Sequence, residues 1–135
     1  HQHFAFADDQ HAEWLVQTEG ERMPVFVCRI VGQHFTAVES GEEVLDHYQL
    51  ALKSKMPYDL VIMDLTIPGG MGGKQTIKEL LKVDPSAKAI VSSGYSNDPV
   101  MANFQSHGFS GAIEKPYLMK DLSEVIRTLV KPVIS

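Results

Sequence analysis

The chain has 135 residues, 44% of them hydrophobic and 21% charged, and its 17 acidic and 12 basic side chains leave a formal charge of −5. That length holds one ordinary domain with a core of its own, and the acidic balance argues against a general nucleic-acid or anionic-membrane binder. A lone Cys28 forbids an internal disulfide and points to a reducing compartment; no apolar run approaches a membrane span, and no signal-peptide pattern opens the chain.

His3–Ala7 is short, apolar and aromatic, runs into Asp8 and Asp9, and reads as a first strand. The first helix is expected within Ala12–Val31, with a break or insertion around residues 18–24 because Gly20 and Pro24 interrupt helices. His34–Val38 is a second strand. Ser40 and Glu43 make a capping-box start, and Val44, Leu45, Tyr48 and Leu52 repeat at helical spacing behind it. Asp59–Met63, ending in Asp64, has the unbroken apolar run of a strand buried on both faces.

Ile77, Leu80 and Leu81 mark the next helix, which should stop before Asp84-Pro85. Ala87–Ser92 and Gly111–Glu114 are shorter buried strands. Between them, Asp98-Pro99 reads as an N-cap followed by proline at the first helical position, with Met101 and Phe104 facing inward. Leu118, Leu122, Val125, Ile126 and Leu129 form the clearest amphipathic helix. Alternation of strand and helix predicts one domain over residues 1–135: a three-layer, doubly wound, five-stranded parallel sheet with right-handed crossovers. Only six residues follow Leu129, so no output module is expected within this chain.

Ligands of open α/β sheets bind beyond the carboxyl ends of the strands. In this reading those ends carry Asp8 and Asp9, Asp64, Ser93, and Lys115. An acid ending one strand is usually just solvated; polar residues at four such ends are much less expected by chance. Clustered carboxylates resist joint ionisation unless a cation joins them, and an all-oxygen set with room for water suits Mg²⁺. A carboxylate beside such a metal can attack phosphorus and form an aspartyl phosphate. Lys115 and Ser93 would then hold the phosphoryl oxygens, by charge and by hydrogen bond.

Residues 59–73 (DLVIMDLTIPGGMGG), the later SSGYS and the EKPY resemble the receiver domain of two-component response regulators, and most of all receivers attached to hybrid sensor histidine kinases. Asp64, Ser93 and Lys115, 29 and 22 residues apart, keep that family's order, and the likeness is close from about Thr36 to Val130. The resemblance implies a flavodoxin-like (βα)5 fold with strand order 2-1-3-4-5, as in the chemotaxis receiver that serves as the general example of this order. It implies that Asp64 is the phosphoacceptor and that Mg²⁺ is held by Asp8, Asp9, Asp64 and the Thr66 backbone carbonyl. Ser93 becomes the switch hydroxyl, Lys115 the phosphoryl partner ahead of a cis bond to Pro116, and Thr66 and Tyr95 flank the site. The implied partner is a histidine kinase or a histidine phosphotransfer domain in the cytoplasm, with no nucleic acid, no membrane contact and room for a weak homodimer. Such a domain is not a conventional enzyme, although it assists its own phosphorylation and dephosphorylation.

Two departures stand out. Asp9 and Asp64 are 55 residues apart, about seven more than ordinary loop variation in that family allows. The aromatic switch that many receivers carry three positions before the lysine is Ala112 here, with Tyr117 and Phe109 read as structural. The run Gly69–Thr76 invites a phosphate-loop reading, but Pro68 and Gln75 stand where that motif needs glycine and Ser or Thr. These glycines therefore serve the turn beside Asp64. Trp14 and Cys28 are expected to pack, and the six histidines show no metal spacing. Two other functions compete: a pseudo-receiver that binds protein without being phosphorylated, and a haloacid-dehalogenase-like phosphatase. The latter wants an aspartate where Thr66 stands, and a cap insert that this length does not hold.

Overall fold

The computed structural model describes residues 2–3, 25–29, 34–67, 71–94, 98–115 and 119–129. Within them the strands are β1 (Gln2–His3), β2 (Val25–Arg29), β3 (His34–Val38), β4 (Leu60–Asp64), β5 (Ala89–Ser93) and β6 (Gly111–Glu114). The helices are α1 (Gly41–Lys53), α2 (Gly73–Val83), α3 (Pro99–Ala102) and α4 (Met119–Leu129), with a 3-10 turn at Phe104–His107.

One sheet runs in the order β1-β3-β2-β4-β5-β6. Apart from the two-residue edge strand β1, the five longer strands therefore stand in the expected order 2-1-3-4-5. Their directions depart from expectation. The pairs β4–β5 and β5–β6 are parallel, but β2 is antiparallel to both β3 and β4. Only four residues separate Arg29 from His34, and a parallel crossover needs a dozen or more. The short connection closes a hairpin, with Val27 opposite Thr36.

Val25–Arg29 also corrects the expected first helix. Its first four residues, Val-Phe-Val-Cys, are β-branched, aromatic or small apolar, and Pro24 blocks helix propagation into them. The expected first strand is corrected too: the place beside β4 is taken by Val25–Arg29, His3 lies in β1 at the edge against β3, and 4–7 fall outside the described residues. The rest of the Ala12–Val31 segment also lies outside them.

Later elements follow their local signals. The Ser40 hydroxyl accepts the Glu43 N–H at 3.2 Å, and the Glu43 carboxylate accepts the Glu39 N–H at 3.2 Å, so the reciprocal cap reaches one residue further out than a standard box. Asp98 caps the Val100 N–H at 2.9 Å with Pro99 opening α3, as the dipeptide predicted. That helix is only four residues long and passes into the 3-10 turn. The turn ends at Gly108, whose φ of 101° suits glycine, and a Cβ there would lie 2.6 Å from Leu81 Cδ1.

The sheet is buried on both faces. Val25, Val27, Val61, Met63, Ala89 and Val91 join one core with Val44 and Tyr48 of α1, Ile77 and Leu80 of α2, Val100 and Phe109. The alternate residues Phe26, Leu60, Ile62 and Ile90 are also buried and point the other way by the two-residue strand period. Leu122 and Ile126 of α4 are buried on that second face, where Val125 and Ile90 both approach Gly111. Each such aliphatic side chain contributes about 1.5–3 kcal/mol by leaving water. This double-sided core fixes the ends of β4, β5 and β6, where the polar residues sit.

Candidate functional site

Asp64 ends β4, Ser93 ends β5, and Lys115 directly follows β6. Their strands are adjacent and parallel, so the three residues share one edge of the sheet. Backbone bonds tie that edge together: the Leu65 N–H donates to the Ser92 carbonyl at 2.9 Å, and the Lys115 N–H to the Ser93 carbonyl at 2.9 Å.

The Asp64 carboxylate is held on both oxygens. Oδ2 accepts from the Lys115 ammonium, 51 residues away in sequence. Oδ1 accepts the Thr66 backbone N–H at 3.0 Å and the Thr66 hydroxyl at 3.1 Å. The carboxylate and ammonium side chains are 16% and 24% exposed, enough for a small reactant to enter while water screening is reduced. Ser93 is buried, at 2% exposure, where its strand enters the loop. Gly73, at the start of α2, lies so close to the turn after Asp64 that a Cβ would stand 2.9 Å from the Leu65 carbonyl oxygen. Its own N–H donates to that oxygen at 3.2 Å. The glycine is used for close approach, as read from the sequence.

Comparison with known proteins agrees with this arrangement. The profile of the response regulator receiver domain family matches residues 22–127. The chain belongs to that family. The chemotaxis protein CheY of Thermotoga maritima is 30% identical over 92 residues, covering 68% of this chain and 72% of that protein. Response regulator GacA of Pseudomonas protegens is 30% identical over 115 residues, 84% of this chain but 49% of its own length. The chain thus spans about half of GacA, and about a third of other response regulators such as ComA of Bacillus subtilis.

Among solved structures, the receiver domain of a sensor histidine kinase from Pseudomonas aeruginosa, with magnesium in its active site cleft, aligns with a TM-score of 0.63 at 14% identity. That alignment covers 90% of each chain. A CheX–CheY complex with BeF3 and magnesium from Borrelia burgdorferi aligns at 0.63 and 18% identity, over 87% of this chain and 84% of that one. At these identities the likeness establishes the flavodoxin-like receiver fold. With the family match, the chain is a receiver domain of two-component signalling.

Within this receiver the structure brings Asp64, Ser93 and Lys115 together. Asp8, Asp9, Tyr95, Pro116 and Tyr117 lie outside the described residues. The slot beside β4 at the Asp64 end is filled by Val25, which pairs with Met63. Hard oxygen donors suited to Mg²⁺ are present in the Asp64 carboxylate and the adjoining Thr66 backbone. Among the described residues no group of three His, Cys, Asp or Glu gathers at one point. A magnesium ion retains several waters and needs only one or two carboxylates, so this donor set fits it. Phe109 is buried in the core and Ala112 packs against it, both as structural residues.

The pair of hydrogen bonds from Thr66 to Asp64 was not read from the sequence, which gave Thr66 only a carbonyl and a flanking side chain. Its signal is Asp-x-Thr at a tight turn, since an Asp side chain commonly accepts from the backbone two residues on. Cys28 is buried without access, and burial pushes its thiol well above its ordinary value, with the Asp59 charge adding to the shift. Such a thiol packs and does not react.

Proposed function

We propose that Asp64 accepts a phosphoryl group from the phosphohistidine of a histidine kinase or a histidine phosphotransfer domain. The supporting observation is the Lys115 ammonium bound to Asp64 Oδ2 across two strand ends. An Asp64 oxygen attacks phosphorus, the new P–O bond forms as the P–N bond breaks, and the imidazole leaves and takes a proton. Thr66 and Lys115 hold the attacking carboxylate in one orientation, which removes rotational freedom before reaction. Lys115 stays within reach of the phosphoryl oxygens and compensates their charge, while the Ser93 hydroxyl supplies a hydrogen bond. By resemblance, Asp8, Asp9, Asp64 and the Thr66 carbonyl would hold Mg²⁺. When bound, that ion neutralises charge on the phosphoryl oxygens.

Once phosphorylated, the domain shifts a pre-existing equilibrium through Ser93 toward the surface formed by α3 and β6. A cytoplasmic setting suits the reduced Cys28, and the parent chain could be a hybrid histidine kinase. The test is intact mass after incubation with acetyl phosphate and Mg²⁺. Wild type should gain one phosphoryl group and Asp64→Ala none; a gain in both, or in neither, overturns the assignment.

One observation favours a second reading, a protein-binding pseudo-receiver. Val25, and not a carboxylate, fills the strand position beside β4 at the Asp64 end. A Mg²⁺ titration separates the two readings. A phosphorylated receiver binds the ion and loses it in Asp64→Asn, whereas a pseudo-receiver shows no Asp64-dependent binding.

A further inference from the structure

Three grooves of different character stand out among the described residues. One, of about 720 Å³, opens at the opposite edge of the sheet between α1, the chain just after α2, and α4. Its polar groups are already engaged: the Tyr48 hydroxyl donates to Asp84 at 2.7 Å, Asp84 also accepts from Ser86, and the Lys88 ammonium reaches the Leu129 carbonyl. That groove is a closed hydrogen-bond network. A second, along β6 and α4, includes Lys115 and so adjoins the site already described. The third differs from both. It is a groove of about 420 Å³ between α2 and the 3-10 turn, lined by Lys74, Lys78 and His107, with Leu81 and Gly108 among the other residues.

Local physics does not explain the two lysines. Lys74 stands in the first turn of α2, which holds no acid, and the positive end of the helix dipole opposes a cation there. Lys78 follows four residues later, on the same face, where like charges repel. The nearby acid Glu79 is committed elsewhere, accepting from Gln75 at 2.9 Å and Lys82 at 3.1 Å. Among the described residues neither Lys74 nor Lys78 has an ion pair. The chain carries net charge −5, yet it concentrates uncompensated cations in this groove.

We propose that this groove docks an extended acidic segment of a partner protein. The spacing selects that occupant. Side chains one helical turn apart stand about 5–6 Å from each other, and alternate side chains of an extended chain fall on one side at about 6.5 Å intervals. Two carboxylates at alternate positions of an extended segment therefore meet Lys74 and Lys78 together. His107 lies within reach of the same groove, and Leu81 gives an apolar floor for an intervening side chain. The contact is independent of whether Asp64 takes phosphate.

The test uses the whole chain with Asp64 intact, titrated with an N-acetylated peptide of alternating glutamate and alanine and followed by backbone amide NMR shifts. Shifts should gather at Lys74, Lys78 and Gln105–Gly108. The double variant Lys74→Glu/Lys78→Glu should bind about tenfold more weakly, the scale of two solvent-exposed ion pairs. A control with the same charge change elsewhere, Lys53→Glu/Lys120→Glu, should bind as wild type does. Equal weakening in both double variants, or shifts centred elsewhere, overturns the proposal. So does inorganic phosphate binding the same residues as tightly as the peptide, which would make the groove a small-anion site. Should the reversed pair disturb folding by circular dichroism, Lys74→Gln/Lys78→Gln replaces it, with the same direction expected.

Discussion

The two halves of the sheet obey different rules. From β4 onward the neighbours are parallel and joined through helices, with β4 and β5 buried on both faces. Before β4, β2 pairs antiparallel with both neighbours and meets β3 across four residues of connecting chain. Both halves use similar apolar strands, so composition does not separate them. Connection length does: it sets strand direction, and direction decides which end of a strand reaches the phosphorylation edge. In the parallel half the carboxyl ends deliver Asp64, Ser93 and Lys115; in the other half an amino end delivers Val25.

The sharpest break in the parallel half is Ile90→Ala. Ile90 is fully buried in β5, which lies between β4 and β6. Emptying that position should cost about 3–4 kcal/mol, read as a fall in the urea midpoint with little change in slope. A loss well below about 1 kcal/mol would mean that β5 is not the packed centre of the sheet.

The same contrast decides what was legible. From Thr36 on, buried runs, the Ser40 cap, the Asp98-Pro99 start and the amphipathic Leu118–Leu129 pattern named the elements, because each signal is local. Strand order also followed, through the resemblance to receivers. Direction at β2 did not, because strand pattern is the same read either way and the first helix was assigned to residues that form β2. At the site, Asp64, Ser93 and Lys115 were legible as polar strand ends. The Thr66 bonds depend on a turn geometry that strand-end reasoning does not see. The groove at Lys74 and Lys78 was missed because its other wall, with His107, comes from an element 29 residues away from Lys78.

The antiparallel half can be tested by a covalent bond. Cys28 lies opposite Leu60 in the β2–β4 pair, and opposed strand residues have Cα atoms about 4.5–5.5 Å apart, within the range of a disulfide. Leu60→Cys should therefore form a bridge to Cys28 when the variant is refolded under oxidising conditions, before burial shields the two thiols, seen by loss of free thiol in the folded protein. Closing that loop should raise stability by roughly 3 kcal/mol over the reduced variant. A parallel β2 would not bring Cys28 opposite residue 60, and persistent free thiols in the folded variant would then argue for that direction.

The smallest effect concerns the seam between the halves. Tyr48 belongs to α1, which follows the antiparallel hairpin, and its hydroxyl donates at 2.7 Å to Asp84, which ends α2 in the parallel half. That bond is the first cause holding the Asp84 carboxyl below its ordinary value, with Ser86 adding to it, while burial and then the Asp84 bond push the Tyr48 phenol up. A depressed carboxyl contributes stability that is present above its unfolded value and is lost as pH falls through its folded value. A raised phenol contributes stability present below its unfolded value and lost as pH rises through the folded one. Tyr48→Phe should therefore cost about 1 kcal/mol at neutral pH, discounted for the partial exposure of Asp84. The deficit should shrink in acid as Asp84 protonates, and above about pH 10, where the unfolded phenol ionises, wild type should lose an alkaline component that the variant lacks. Urea unfolding across that range measures both limbs. An equal deficit in acid and at neutral pH would show that the hydroxyl acts through packing alone, and the two halves would then be joined by their shared core without a polar seam.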